Sequence, residues 1–374
     1  MTENKEQEKK VEYLELIYDL IFVYIVGRNN SILHHVEGGF FTLESFLLYI
    51  FCTLAVIQIW SFSSVYINLH GRNSVRDHIF LFINMYLLYH MANGITSDWR
   101  GSIYEFSIAW ALILINIAVQ YFLEIRNQKD MPGANIVLKQ QGFIILGEVV
   151  LILVHILVYY LTGVSIAYVP VLFGIIISFV TGSIFTMFPV DFPHLSERAM
   201  LYVVFTFGEM IIVMASYFEG GFNANTLFFS IAGFLIVVGL FLSYEMLYNR
   251  IVDREMTTNG LTYMLVHVFL ILSLNNISIA LEFMADDKVD VLPKIVFLTA
   301  SIIVYFICIF ALGIYSKKKC AFNTRFILGV AALTLAFAIL MIVLREYMYV
   351  NIIITALYVG SIFLILYRRS SLVK

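Results

Sequence analysis

Apolar runs of about 20 residues recur from one end of this 374-residue chain to the other. As a helix, each is long enough to cross a hydrocarbon core of roughly 30 Å. Backbone polar groups in lipid need internal partners, so helices and closed barrels are the structures that span it. Barrel strands alternate apolar and polar residues in segments of about ten; these runs are longer and continuously apolar. The expected fold is all-α, a polytopic integral membrane helical bundle with almost no soluble part. A 61% hydrophobic content and a mean hydropathy of +0.89 exclude an ordinary soluble domain.

Twelve spans are expected, near 14–34, 43–68, 78–97, 102–124, 139–162, 164–188, 199–218, 224–248, 260–283, 291–315, 324–345 and 347–367. Loop charge orients them. With the N-terminus cytoplasmic, 18 of the 23 Lys and Arg fall on the inner side, as the positive-inside rule requires. The bias predicts that both termini are cytoplasmic and that the localisation is multi-pass in the cell membrane. Lys317, Lys318 and Lys319 would meet the anionic inner leaflet. The expected organisation is a polar tail over 1–12, a first six-helix half over 13–188 and a second over 189–374 that ends in a short basic tail. Parallel halves are a transporter architecture. A short echo between IILGEVVLI at 144–152 and FTFGEMIIV at 205–213 is consistent with it.

Several classes of function find no support. A net charge of −3 argues against nucleic acid as a partner. The stretch after MTENKEQEKK is interrupted by Asp19 and lacks a small-residue cleavage site, unlike a cleavable signal. Cys52, Cys308 and Cys320 show neither metal-knuckle nor disulfide spacing. No phosphate loop, nucleophile elbow or zinc motif appears, so no catalytic residue, metal or cofactor is expected.

The charged residues inside apolar runs are the candidates for function, because ionisable groups are expensive in lipid. The first and seventh spans carry two such clusters. Glu12, Glu15 and Asp19 share one helix face, which Phe22, Val23 and Val26 continue in apolar form. Glu12 suits a helix N-terminus by its charge alone. Asp19, two turns deeper, needs a specific buried partner. In HLSERAMLYVVFTFGEMIIVM at 194–214, His194, Glu197 and Arg198 can pair among themselves at the mouth. Glu209 lies about three turns, roughly 16 Å, beyond Arg198 on the same face, either as an ion site or as a packing carboxyl. Pro189 and Pro193 would break the preceding helix. Gly174, Ser178, Gly182 and Thr186 in span six form a groove for a partner helix, with span seven one candidate. Glu148 and His155 share a face of span five, where they form a relay with Glu209 or simply satisfy each other's neighbours. His90, His267, Glu245 and Glu282 stand singly in spans.

At the two clusters the chain resembles the low temperature requirement A (LtrA) family of bacterial membrane proteins. YLELIYDLIFV at 13–23 is similar to the family's opening element, and HLSERAMLYVVFTFGE at 194–209 to its His-Leu-x-Glu-Arg…Gly-Glu element. Trp60 with Ser61, and Tyr66 with Asn68, are weaker matches. Family members often carry an acid in span six; this chain has none between Val169 and Met187. The resemblance implies a twelve-span membrane protein and singles out Glu15, Asp19, His194, Glu197, Arg198 and Glu209. It implies no reaction, since the family name records a cold-growth phenotype.

The leading functional expectation is a transporter or ion-conducting protein with buried carboxylates on helices one and seven. Its expected site residues are Glu15, Asp19, Glu148, His194, Glu197, Arg198 and Glu209. Expected partners are the lipid bilayer and protons, small ions or lipid headgroups, with oligomeric state open. The alternatives are a membrane enzyme acting on lipid or a lipid-linked substrate, and a non-catalytic protein that adapts to bilayer state or cold.

Overall fold

A computed structural model describes residues 10–96, 98–127, 132–182, 190–218 and 221–371. Thr186, Met187 and Pro189, named above, lie outside them, as do Lys5, Lys9, Lys129 and Lys374 among the inner-side charges. Among the described residues the fold is all-helical, with twelve α-helices. In chain order they are α1 (Tyr13–Asn29), α2 (Leu43–His70), α3 (Val75–Asn93), α4 (Trp99–Asn127), α5 (Pro132–Thr162) and α6 (Tyr168–Val180), then α7 (Phe192–Val213), α8 (Ala224–Met246), α9 (Leu261–Ala285), α10 (Val291–Ala311), α11 (Thr324–Val343) and α12 (Met348–Ser370).

Eight of them are long and apolar enough to cross a membrane: α2, α4, α5 and α8 to α12. Their composition points to a lipid bilayer environment. The other four differ for identifiable reasons. At 17 and 13 residues, α1 and α6 are short. Charged residues stand in the first turn of α3 (Arg76, Asp77) and inside α7 (Glu197, Arg198 and Glu209).

The chain forms two compact units. The first comprises residues up to Ile32, Leu43–Tyr202 and Glu255–Met264, and so holds α1 to α6 and the start of α7. Here α4 packs against α3 and α5, α1 against α2 and α3, and α6 against α5 and α2. Buried Trp60, Trp110, Tyr18, Tyr66 and Tyr121 fill its interior. The second unit comprises Leu33–Thr42, Val203–Arg254 and Leu265–Lys374. In it α8 packs on α12, and α11 bridges α10 and α12.

Three local expectations change. First, α1 proper stops at Asn29 and tightens into a 3-10 turn over Asn30–Ile32, while the Asn29 side-chain amide donates to the Tyr49 carbonyl and the Thr53 hydroxyl of α2 at 2.8 and 2.7 Å. Second, Pro193 belongs to α7 itself, while residues 183–189 before it lie outside the described ones. It sits in the first turn of α7, where a missing N–H costs nothing, and Asp191 caps that turn by accepting the His194 amide at 3.2 Å. Third, Gly174 of α6 meets Gln58 of α2 and Glu148 of α5, and Gly182 beyond α6 meets Leu261. The turn at Arg345 and Glu346 carries an exposed ion pair of 3.2 Å, as an interfacial turn would.

Candidate functional site: a buried charge cluster on α1 and α7

Within the first unit, the opening turns of α1 and α7 bring four ionisable side chains together. On α1, Glu15 and Asp19 are one turn apart and point the same way. They are 5% and 0% exposed. On α7, His194 and Arg198 are likewise one turn apart, and both are fully buried. Phe22, Val23 and Val26 continue the α1 face as buried apolar residues.

The guanidinium of Arg198 grips Asp19 with two nitrogens. Nη2 donates to Oδ1 at 2.5 Å and Nε to Oδ2 at 3.4 Å. The fork geometry of arginine suits this two-point contact. The indole N–H of Trp60, on α2, adds a third bond to Asp19 Oδ1 at 2.8 Å. The Trp60 ring also lies beneath Arg198, whose Cζ is 5.9 Å from the ring centroid, and meets Tyr202 edge-on at 4.9 Å. Asp19 therefore has the partner its depth requires, and Arg198 Nη1 has no hydrogen-bond partner among the described residues.

Glu15 completes the cluster from the other side. Its Oε2 lies 3.3 Å from His194 Nε2 and 3.5 Å from Arg198 Nε. Asn68, near the end of α2, fixes the α7 entrance. It donates to the Asp191 carbonyl at 2.8 Å, accepts the Asp191 amide at 3.0 Å and meets His194 Nδ1 at 3.1 Å. With Nδ1 accepting from that amide, the ring proton sits on Nε2, the nitrogen that faces Glu15. His194 and Arg198 thus pair with α1 and not with each other.

A cavity of about 370 Å³ ends at Glu15. Glu12, Ile67, Arg72 and Asp77 are among its lining residues, and exposed Lys10 and Asn73 stand at its rim. Glu15 is at once a wall of this cavity and a member of the buried cluster.

The remaining candidates stand apart. Glu197 is half-buried and joins no ion pair among the described residues. Glu209 belongs to the second unit; its carboxylate is half-buried without a partner among the described residues, and the space beside Gly208 is open. Glu148 is fully buried on α5, away from the cluster. Of the single residues, His267 bonds the Tyr244 hydroxyl at 3.0 Å, and Glu282 is not alone but pairs with His34 at 2.7 Å in the second unit. All three cysteines are free and buried.

Sequence reasoning missed the structural roles of Trp60 and Asn68, although both lie in the weaker motif matches. An indole and an amide in the middle and at the end of an apolar helix each need a buried partner, and that need is a readable signal. Tyr18 was missed as well; its hydroxyl meets Ser63 at 2.8 Å, beside the cluster.

No curated protein matches the chain by sequence. A sequence model for bacterial low temperature requirement A protein (LtrA) matches residues 10–360. The match takes in α1 and α7, whose buried residues are the ones that the opening and His-Leu-x-Glu-Arg elements supply. The chain belongs to the LtrA family of membrane proteins.

Proposed function

We propose that the protein is a multi-pass transporter or ion-conducting protein of the cell membrane, with twelve spans and Glu15, Asp19, His194 and Arg198 at its coupling site. The observation that carries this reading is the position of Glu15. It lines a cavity with an exposed rim and lies within 3.5 Å of both His194 and Arg198 in a closed interior.

Charge balance gives the cluster its chemistry. Asp19 and Arg198 cancel. Glu15 and His194 are neutral together when they hold one proton between them. Losing that proton leaves a net negative charge in a dry interior, which is costly unless a cation replaces it. A proton entering through the cavity and an ion bound in its place would then be alternatives, and exclusion of one by the other is the elementary step of coupled transport. Arg198 Nη1 supplies an uncommitted donor for an anionic group. Glu197, Glu209 and Glu148 remain in the proposal as separate candidate ion- or proton-binding carboxylates.

The test is reconstitution in proteoliposomes with proton, sodium, potassium and anion-sensitive dyes. The expected result is a flux that Glu15→Gln and Asp19→Asn each reduce tenfold or more while the proteins remain folded. If neutral isosteres at Glu15, Asp19 and Glu209 leave every flux unchanged, the cluster is a structural clamp. An altered membrane lipid composition without flux would favour the enzyme reading.

A further inference from the structure

A second buried carboxyl group is built differently from those of the α1–α7 cluster. Glu148 sits in the middle of α5, the most exposed face of which is apolar, and is 0% exposed. Among the described residues neither Oε1 nor Oε2 has a hydrogen-bond partner. Facing it from α2 is Gln58, 7% exposed, whose Nε2 donates weakly to the Val171 carbonyl of α6 at 3.4 Å and whose Oε1 is without a partner among the described residues. Gly174 of α6 closes the site. A Cβ there would fall 1.9 Å from Gln58 Nε2 and 2.3 Å from Glu148 Oε2, so a glycine is what lets the two polar groups converge.

The electrostatic surroundings are bare. α6 carries no Asp, Glu, Lys, Arg or His from Tyr168 to Val180. Glu148 joins no ion pair among the described residues. On α5 itself the titratable group of the same face is His155, which accepts the Ile166 amide through Nδ1 at 3.3 Å. Trp60 and Gln58 are two residues apart on α2, so they point to opposite sides of that helix. α2 thus separates this site from the Asp19–Arg198 pair.

An ionised carboxylate with neither oxygen bonded, in the interior of a membrane helix, is strongly disfavoured. Its neutral acid is a donor as well as an acceptor, and Gln58 places an amide oxygen within the same pocket. We propose that Glu148 is a proton-binding site, with Gln58 as its hydrogen-bonding partner and Gly174 as the spacer that admits both. The site is independent of the coupling cluster, and its existence does not depend on a flux.

The experiment is infrared difference spectroscopy of the full chain in nanodiscs, with labelling by dicyclohexylcarbodiimide, a reagent selective for protonated carboxyl groups in apolar surroundings. The expected result is a carbonyl-stretch band of a neutral carboxylic acid that disappears in Glu148→Gln, with the label mapped by mass spectrometry to Glu148. Gly174→Ala, which keeps the acid but pushes Gln58 away, should shift that band without removing it. A band of equal intensity in wild type and Glu148→Gln overturns the proposal. So does a carboxylate band at this residue that responds to sodium or potassium, which would make the ligand a metal cation.

Discussion

Arg198 and Asp19, 179 residues apart in sequence, form a two-point ion pair with both side chains sealed from solvent. A buried pair of this kind is a poor source of net stability but a severe liability when broken, because the surviving charge has nowhere to go. The α1–α7 contact in the first unit therefore rests on both partners.

Removing one partner should show this directly. Asp19→Leu leaves Arg198 with only the longer contact to Glu15 at 3.5 Å and is expected to cost about 3 kcal/mol. Combining it with Arg198→Met should recover most of the loss, since an apolar pair of similar volume is often neutral. Thermal unfolding of the three variants in one detergent checks this; a double variant as unstable as the single one would contradict it.

Glu15 and His194 should govern the pH response of any flux. If they share the proton of the coupling site, Glu15→Gln removes the pH dependence of transport while leaving the Asp19–Arg198 pair intact. Transport rate against pH in proteoliposomes is the measurement. A pH profile identical to wild type would remove Glu15 from the coupling step.

The entrance of α3 offers a pH-dependent stability term away from the cluster. Ser74 accepts the Asp77 amide at 3.2 Å, and Asp77 Oδ2 accepts the amides of Arg72 and Ser74 at 3.1 and 3.2 Å. Burial pushes the Asp77 carboxyl up, but these donors and the Ser74 hydroxyl outweigh it and hold the group below the ordinary carboxylate range. A carboxyl lowered by folding stabilises at pH values above its unfolded value, near ~3.9, and loses that contribution as pH falls through the folded value. Ser74→Ala should cost about 1 kcal/mol. The stability gap between wild type and Asp77→Asn should be constant near neutral pH and shrink below about pH 4. Unfolding temperatures across that range decide it.

In the second unit, Gly39 adopts φ +90 and its carbonyl accepts the Asp290 amide at 2.7 Å. A Cβ there would lie 2.3 Å from Asp290 Oδ2. Gly39→Ala should destabilise by more than about 1 kcal/mol, through backbone strain and the clash together. Gly38, at φ +62 with open space around it, isolates the backbone component. Equal unfolding temperatures for Gly38→Ala and Gly39→Ala would show that the clash is absorbed.

How much of this was legible in the sequence depends on the range of the interaction involved. The helices were legible, because continuous apolar runs satisfy their backbones locally and need no knowledge of neighbours. That Asp19 needs a buried partner was legible too, from the cost of a carboxylate two turns inside a helix. Which group answers it was not, and the expectation that His194, Glu197 and Arg198 would pair among themselves missed the real arrangement. Arg198 reaches Asp19 across helices, Trp60 arrives from a third, and Asn68 selects the nitrogen of His194 that faces Glu15. Equally, Glu197 stands beside Arg198 in sequence yet joins no ion pair among the described residues, because its position on the turn points elsewhere. The sequence alone determined helicity, depth and the need for compensation, all of which follow from local composition and the solvent. Tertiary structure decided which charges meet, that a cavity ends at Glu15 and that Glu148 faces Gln58 across a glycine, since these depend on how helices distant in sequence are brought to within a few ångströms.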